Sequence, residues 1–140
     1  MTPRIRSRQT YVALAMTALL AAGAIAAPVT PQGVERKAIL DALRAPVQQE
    51  LAQPVEFAVE RIVVSGAWAF VIATPQGREG AEIAWEKTVC DGDVSHLVGG
   101  LLRSQDGAWT VQALALCPTD VAWATWADEH KAPAELFGLD

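Results

Sequence analysis

The period of the apolar positions changes along this chain, and each change marks an element. From Val34 onward, Leu40, Leu43, Val47 and Leu51 recur at spacings of three, four and four, one face of an α-helix. Glu35, Arg36, Asp41, Arg44 and Gln48 fall largely on the other face. Pro46 removes one backbone donor from this run and is expected to kink or divide the helix, and Pro54 marks its end. Val55, Phe57 and Val59 then alternate with Glu56, Ala58 and Glu60, the pattern of a half-buried strand. The run Ile62-Val63-Val64 breaks the alternation, which predicts a bulge or a fully covered stretch there.

Ser65-Gly66 reads as a turn, after which Trp68, Phe70 and Ile72 share one side of a second strand. PQGREG is rich in breakers and reads as a loop. In AEIAWEKTV, Ile83, Trp85 and Lys87 share a face and predict a further strand, and CDGDVS predicts another turn. SHLVGGLLR and AWTVQALAL flank Gln105-Asp106-Gly107, a strong hairpin signal. Gly99-Gly100 weakens its strand but admits curvature or close approach of another element. Trp123, Trp126 and His130 lie on one face of a short helix starting near Asp120.

These elements predict an α+β fold: a long N-terminal helix packed on a curved antiparallel sheet of four or five strands, with a short C-terminal helix. A sheet with one apolar face must cover it, and the long helix is the large cover available. The expectation is a two-layer roll.

The first residues follow a different logic. Arg4, Arg6 and Arg8 precede an uncharged, Ala/Leu-rich run from Tyr11 to Ala27, closed by Ala24-Ile25-Ala26. A basic start, a short apolar run and a small-x-small end are the parts of a secretory signal peptide. A spanning helix wants about 20 apolar residues, and this run is shorter and mostly alanine. Residues 1–27 are therefore read as a signal peptide, cleaved after Ala26 or Ala27, and 28–140 as one domain outside the cytoplasm, periplasmic or secreted, with no stable membrane insertion after cleavage.

This division changes the charge. The whole chain carries −5, but three of its 11 basic residues and none of its 16 acidic ones precede residue 28, leaving −8 on residues 28–140. Such a surface repels nucleic acid and anionic lipid. It also suits a cationic partner. Cys90 and Cys117 are the two cysteines, and an even count in a small exported domain favours a disulfide between them. A metal site would need further ligands, and His96 and His130 are the only histidines.

A long helix followed by a curved meander resembles the cystatin-like and nuclear-transport-factor-like superfamily. The ending PTDVAWATW, with HKAPAELFG after it, is similar to the C-termini of small exported bacterial proteins of uncharacterised role built on that plan. The resemblance implies the roll over most of residues 34–138. It does not select a function, because such rolls host isomerases, dehydratases, binding modules and inhibitors.

Candidate chemistry is sparse. The sole tyrosine, Tyr11, lies in the leader, so the carboxylate-and-phenol pocket common among enzymes of that superfamily cannot be assembled from 28–140. Ser65, Ser95 and Ser104 are the serines of that part, and none sits in a nucleophile elbow. Asp91-Gly92-Asp93 lacks the remaining ligands of a calcium loop. HExxH, CxxC, a glycine-rich phosphate cradle and the Gln-x-Val-x-Gly hairpin of cystatins are all absent. No cofactor and no metal is expected.

Two candidate sites survive. His96, on a strand beside Val98 and Leu102, would line a concave face and act as a base with Glu82, Glu86 or Asp93. Trp123 and Trp126 would either form a ligand platform or close the core, with Trp126 the more buried. His130, near a helix end, suits the negative end of the helix dipole. The expected function is that of an exported, non-catalytic envelope protein binding a small ligand or a protein. The alternatives are a small enzyme built on His96 and a carboxylate, or an inhibitor or protective partner of a cationic protein.

Overall fold

Helix and strands form where the two periodicities place them. The structure, a computed structural model, describes residues 27–139; the leader expected at 1–27 lies, but for Ala27, outside the described residues. Helix α1 (Gly33–Leu51) precedes strands β1 (Glu56–Ser65), β2 (Trp68–Gln76), β3 (Val98–Gln105) and β4 (Ala108–Leu116). The strands form one sheet in the order β1-β2-β3-β4, every neighbouring pair antiparallel. A 3-10 turn at Ala122–Thr125, the short helix α2 (Trp126–His130) and a 3-10 turn at Ala134–Phe137 follow. The architecture is α+β, as the periodicities predict.

Helix α1 runs unbroken through Pro46. The proline removes one hydrogen bond to the preceding turn, yet Leu43 before it and Val47 and Leu51 after it are held in the core. The inward face starts at Ile39, which is fully buried, whereas Leu40 packs on its flank. Ala52 takes a left-handed conformation (φ 54°) and its N–H bonds the Gln48 carbonyl, which ends the helix.

The expected strand at 81–89 is absent. Residues 77–97 form a long connection holding 3-10 turns at Arg78–Gly80 and Trp85–Lys87. Ile83 and Trp85 still point into the core, but from turns, because an apolar pair two residues apart does not by itself distinguish a strand from a turn with two anchors. The sheet accordingly has four strands.

Both outer strands carry a bulge, and the apolar spacing locates each. In β1, Phe57 and Val59 face the helix side, and so do Ile62 and Val64. Period two cannot place Val59 and Ile62 on one face unless one extra residue lies between them. The register shifts there, between Val59 and Arg61, which leaves Glu60 as the extra residue. The bulge thus precedes the Ile62-Val63-Val64 run instead of falling within it. Strand β4 repeats the device: Trp109 and Val111 share the helix side with Leu114 and Leu116, and the pairing skips Gln112.

The sheet is covered on two faces, not one. On the helix side, Ile39, Leu43, Val47 and Leu51 pack against Ala69, Val71, Ala73, Val98 and Leu102. On the other, Phe70 and Leu101 pack against Trp123, Trp126, Ala132, Leu136 and Phe137. The C-terminal segment is therefore a third layer, and the two-layer expectation is corrected. Strands β2 and β3 needed two covers because AFVIA and VGGLL offer apolar or small residues to both sides.

Gly99 and Gly100 let both layers approach the same strand. A Cβ on Gly100 would lie 2.6 Å from Leu43 Cδ1, and one on Gly99 would lie 2.8 Å from Trp123 Cε3. Neither neighbour has room to retreat, Leu43 being fully buried and the Trp123 indole rigid. Gly99→Ala and Gly100→Ala should each destabilise the fold by about 1–3 kcal/mol through overpacking. Urea unfolding of the two variants measures this, with Gly99→Ala the costlier. Midpoints equal to that of the native chain would show that both layers tolerate displacement.

Candidate functional site

The C-terminal tryptophans are spent on the core. Trp123 and Trp126 are 8% and 7% exposed, so neither is the outer member of the pair. Phe70 of β2 stands between them, its ring centroid 5.7 Å from that of Trp123 and 6.3 Å from that of Trp126, the latter edge-on. Phe137 closes on the same ring at 4.9 Å. These are the offset and edge-to-face arrangements aromatic side chains adopt when packed. The buried indole faces leave no open platform on this stretch.

His96 lies outside β3, in the segment leading into it, and its side chain is exposed. It does not line a concave sheet face. Its ring stacks on Trp85 at 4.1 Å with 11° between planes. Among the described residues no hydrogen bond or ion pair joins His96 to Glu82, Glu86 or Asp93, so the base-and-carboxylate arrangement is not assembled in this conformation. His130 closes the last turn of α2, where the Lys131 backbone turns left-handed. Among the described residues no cluster of His, Cys, Asp and Glu is placed to hold a metal ion.

Cys90 and Cys117 form a disulfide, their Cα atoms 5.8 Å apart. It ties the long 77–97 connection to the end of β4, where the Cys117 N–H also bonds the Leu97 carbonyl at 2.9 Å. Ile83, Trp85 and the buried Cys90 thereby join the helix-side core.

What the structure brings together instead is a set of cations around the start of α1 and the outer edge of β1. One groove, of about 320 Å³, runs along α1 and is lined by Gly33, Arg36, Lys37, Leu40, Asp41 and Arg44. Lys37 first, and Arg44 after it, donate to the exposed Asp41 carboxylate and hold its pKa below the ordinary carboxylate value. Arg44 also donates through Nε to the Val55 carbonyl at 3.1 Å and lies over the Phe57 ring, so it is occupied on several sides.

A second groove, of about 370 Å³, shares Arg36 and is lined by Thr30 and by β1 from Val59 to Val63. Strand β1 is an outer strand of the sheet. Among the described residues its free edge is bridged by Val29, which exchanges two 2.8 Å hydrogen bonds with Val64. Pro31, buried, then turns the chain away into α1, and among the described residues no backbone pairs with the edge on the Ile62 side of Val64.

Arg61 projects from this edge toward the C-terminal layer. It donates through Nη2 to the Leu136 carbonyl at 3.0 Å, and its guanidinium occupies the space a side chain on Gly138 would need. Its Nε is buried with no partner. Among the described residues neither Arg36 nor Arg61 has a carboxylate within ion-pair distance. Half of the eight basic residues in 28–140 therefore line two adjoining grooves of an acidic chain.

Neither arginine stood out in the sequence. Arg36 read as the polar face of a helix, and Arg61 as one position of an interrupted strand. The signal that was available is a charged residue inside the apolar stretch VERIVV, which the bulge turns onto the C-terminal side of the sheet. Comparison with protein-family models, curated proteins and solved structures finds no match to this chain. Among the described residues no helix is long and apolar enough to cross a membrane.

Proposed function

We propose that this chain is an exported binding domain of the cell envelope, acting without covalent chemistry and holding its ligand in the groove between α1 and the outer edge of β1. The observation that carries this reading is Arg36, which has no carboxylate within ion-pair distance among the described residues, beside a strand edge that the chain's own lead-in does not pair beyond Val29. Buried or half-buried guanidinium groups prefer an anionic partner. The other candidate residues have structural employment: the tryptophans fill the core and His96 covers Trp85.

Export is supported by the leader-like residues 1–27 and by the Cys90–Cys117 bridge, a bond that persists where thiols are not kept reduced. The order of helix then meander also supports placing the chain beside the cystatin-like and nuclear-transport-factor-like rolls, on architecture alone.

The test is amide chemical-shift mapping of 28–140 against a panel of small carboxylates and short peptides. Saturable shifts should concentrate at Thr30, Arg36 and Val59 to Val63. Shifts confined to Trp85 and His96, accompanied by turnover of the added compound, would overturn the reading in favour of an enzyme built on His96. Capture of a basic protein outside the groove would instead favour a partner of cationic proteins.

A further inference from the structure

The groove beside β1 carries backbone as well as charge. The N–H and C=O of Val64 point outward, since both bond Val29. Alternation along an antiparallel strand then turns the N–H and C=O of Ile62 outward as well, while Arg61 and Val63 bond inward to β2. Thr30 and Pro31 would have been the next residues to pair along this edge, and the chain departs there into α1. A short length of ladder is thus left unpaired, among the described residues, in a groove lined by Arg36, Glu60 and Arg61, with the Arg61 guanidinium turned toward Leu136 and Gly138.

We infer that the occupant of this groove is an extended peptide bearing an acidic side chain, which adds to β1 antiparallel to it, along the line Val29 abandons. The inference rests on the groove being the binding site, as proposed above, and goes further by naming what enters it. Strand addition supplies main-chain hydrogen bonds for affinity, and side-chain contacts supply selectivity. Here the selectivity is electrostatic: a carboxylate meets Arg36, whose guanidinium has no ion-pair partner among the described residues. Glu60 sets the register, because its charge repels an acidic residue placed at the bulge. The bulge also bends β1 and ends the straight edge, which restricts the acceptor to a few residues and guards against indiscriminate pairing with other strands.

The experiment uses residues 28–140 with the disulfide intact and three labelled heptapeptides, read by fluorescence anisotropy. One alternates valine with glutamate, one alternates valine with lysine, and one is the glutamate peptide N-methylated at alternate amides. The glutamate peptide should bind saturably, more weakly as salt rises, and protect the Ile62 amide from exchange. The lysine and N-methylated peptides should not bind. Arg36→Glu should weaken the glutamate peptide by roughly fivefold or more. Arg61 is left native because its guanidinium also holds the Leu136 carbonyl.

Equal binding of the glutamate and lysine peptides, or undiminished binding of the N-methylated one, overturns the inference. So does self-association of the chain that protects Ile62 without peptide. If no peptide binds while small carboxylates still shift the groove residues, the peptide inference falls and the groove reading stands. If shifts appear only at Trp85 and His96, both fall. Should Arg36→Glu not fold, salt dependence and the N-methylated peptide on the native chain decide the matter.

Discussion

Trp126→Ala should unfold about 12–20 °C below the native chain. The indole is 7% exposed and packs edge-on against Phe70, in the layer that covers the far side of the sheet. Removing a buried indole costs about 3–5 kcal/mol, through lost burial and the cavity left behind. For a domain of this length, 1 kcal/mol corresponds to roughly 4 °C, which gives the stated range. The loss is a large share of the roughly 5–15 kcal/mol such domains possess. Trp126→Phe keeps a ring against Phe70 and should cost less than half as much. Trp123→Ala should match Trp126→Ala, since the two indoles are equally buried and Trp123 also fills the space above Gly99. Circular-dichroism melts of the three variants decide it. Native-like midpoints with loss of ligand binding would return the tryptophans to the role of a ligand platform.

The C-terminal layer was half legible in the sequence. Trp123 and Trp126 on one face of a short helix announced burial, and the structure buries them. Their target is hidden in the sequence, because β2 and β3 do not alternate. A strand covered on both sides reads as a plain apolar run, and only the count of covers distinguishes it from a half-buried one. Gly99-Gly100 held the missing clue. Each glycine faces a different layer, one under Trp123 and one under Leu43.

The groove was less legible, for a different reason. Its parts are ordinary in sequence: one arginine on a polar helix face and one in a strand. Arg36 and Arg61 are joined by the departure of the chain at Pro31 and by the bulge at Glu60, neither of which leaves a motif. His96 shows the converse. It carried the strongest chemical connotation in residues 28–140, yet it sits before β3, outside the alternation that was to aim it inward. Side-chain chemistry is read from a sequence more readily than the topology that gives it partners.

The disulfide connects these observations to stability. Cys90 and Cys117 are 27 residues apart, and the loop they close contains the end of the 77–97 connection and the whole β3–β4 hairpin. Closing a loop of that length stabilises the fold by about 3–4 kcal/mol in the chain-entropy model. The 77–97 connection has no strand of its own, and Ile83, Trp85 and Cys90 are its buried anchors on the helix side. The double variant Cys90→Ser/Cys117→Ser should therefore melt about 12–16 °C below the native chain. It should lose amide protection over residues 81–97 before it loses protection in β2 and β3. The His96 ring should also leave Trp85, visible as a change in indole fluorescence. Intact mass after alkylation without reductant should show no free thiol in the native protein. A midpoint within about 3 °C of native would mean that Ile83 and Trp85 hold the connection unaided. The bridge would then mark the compartment in which the protein folds and contribute little to its stability.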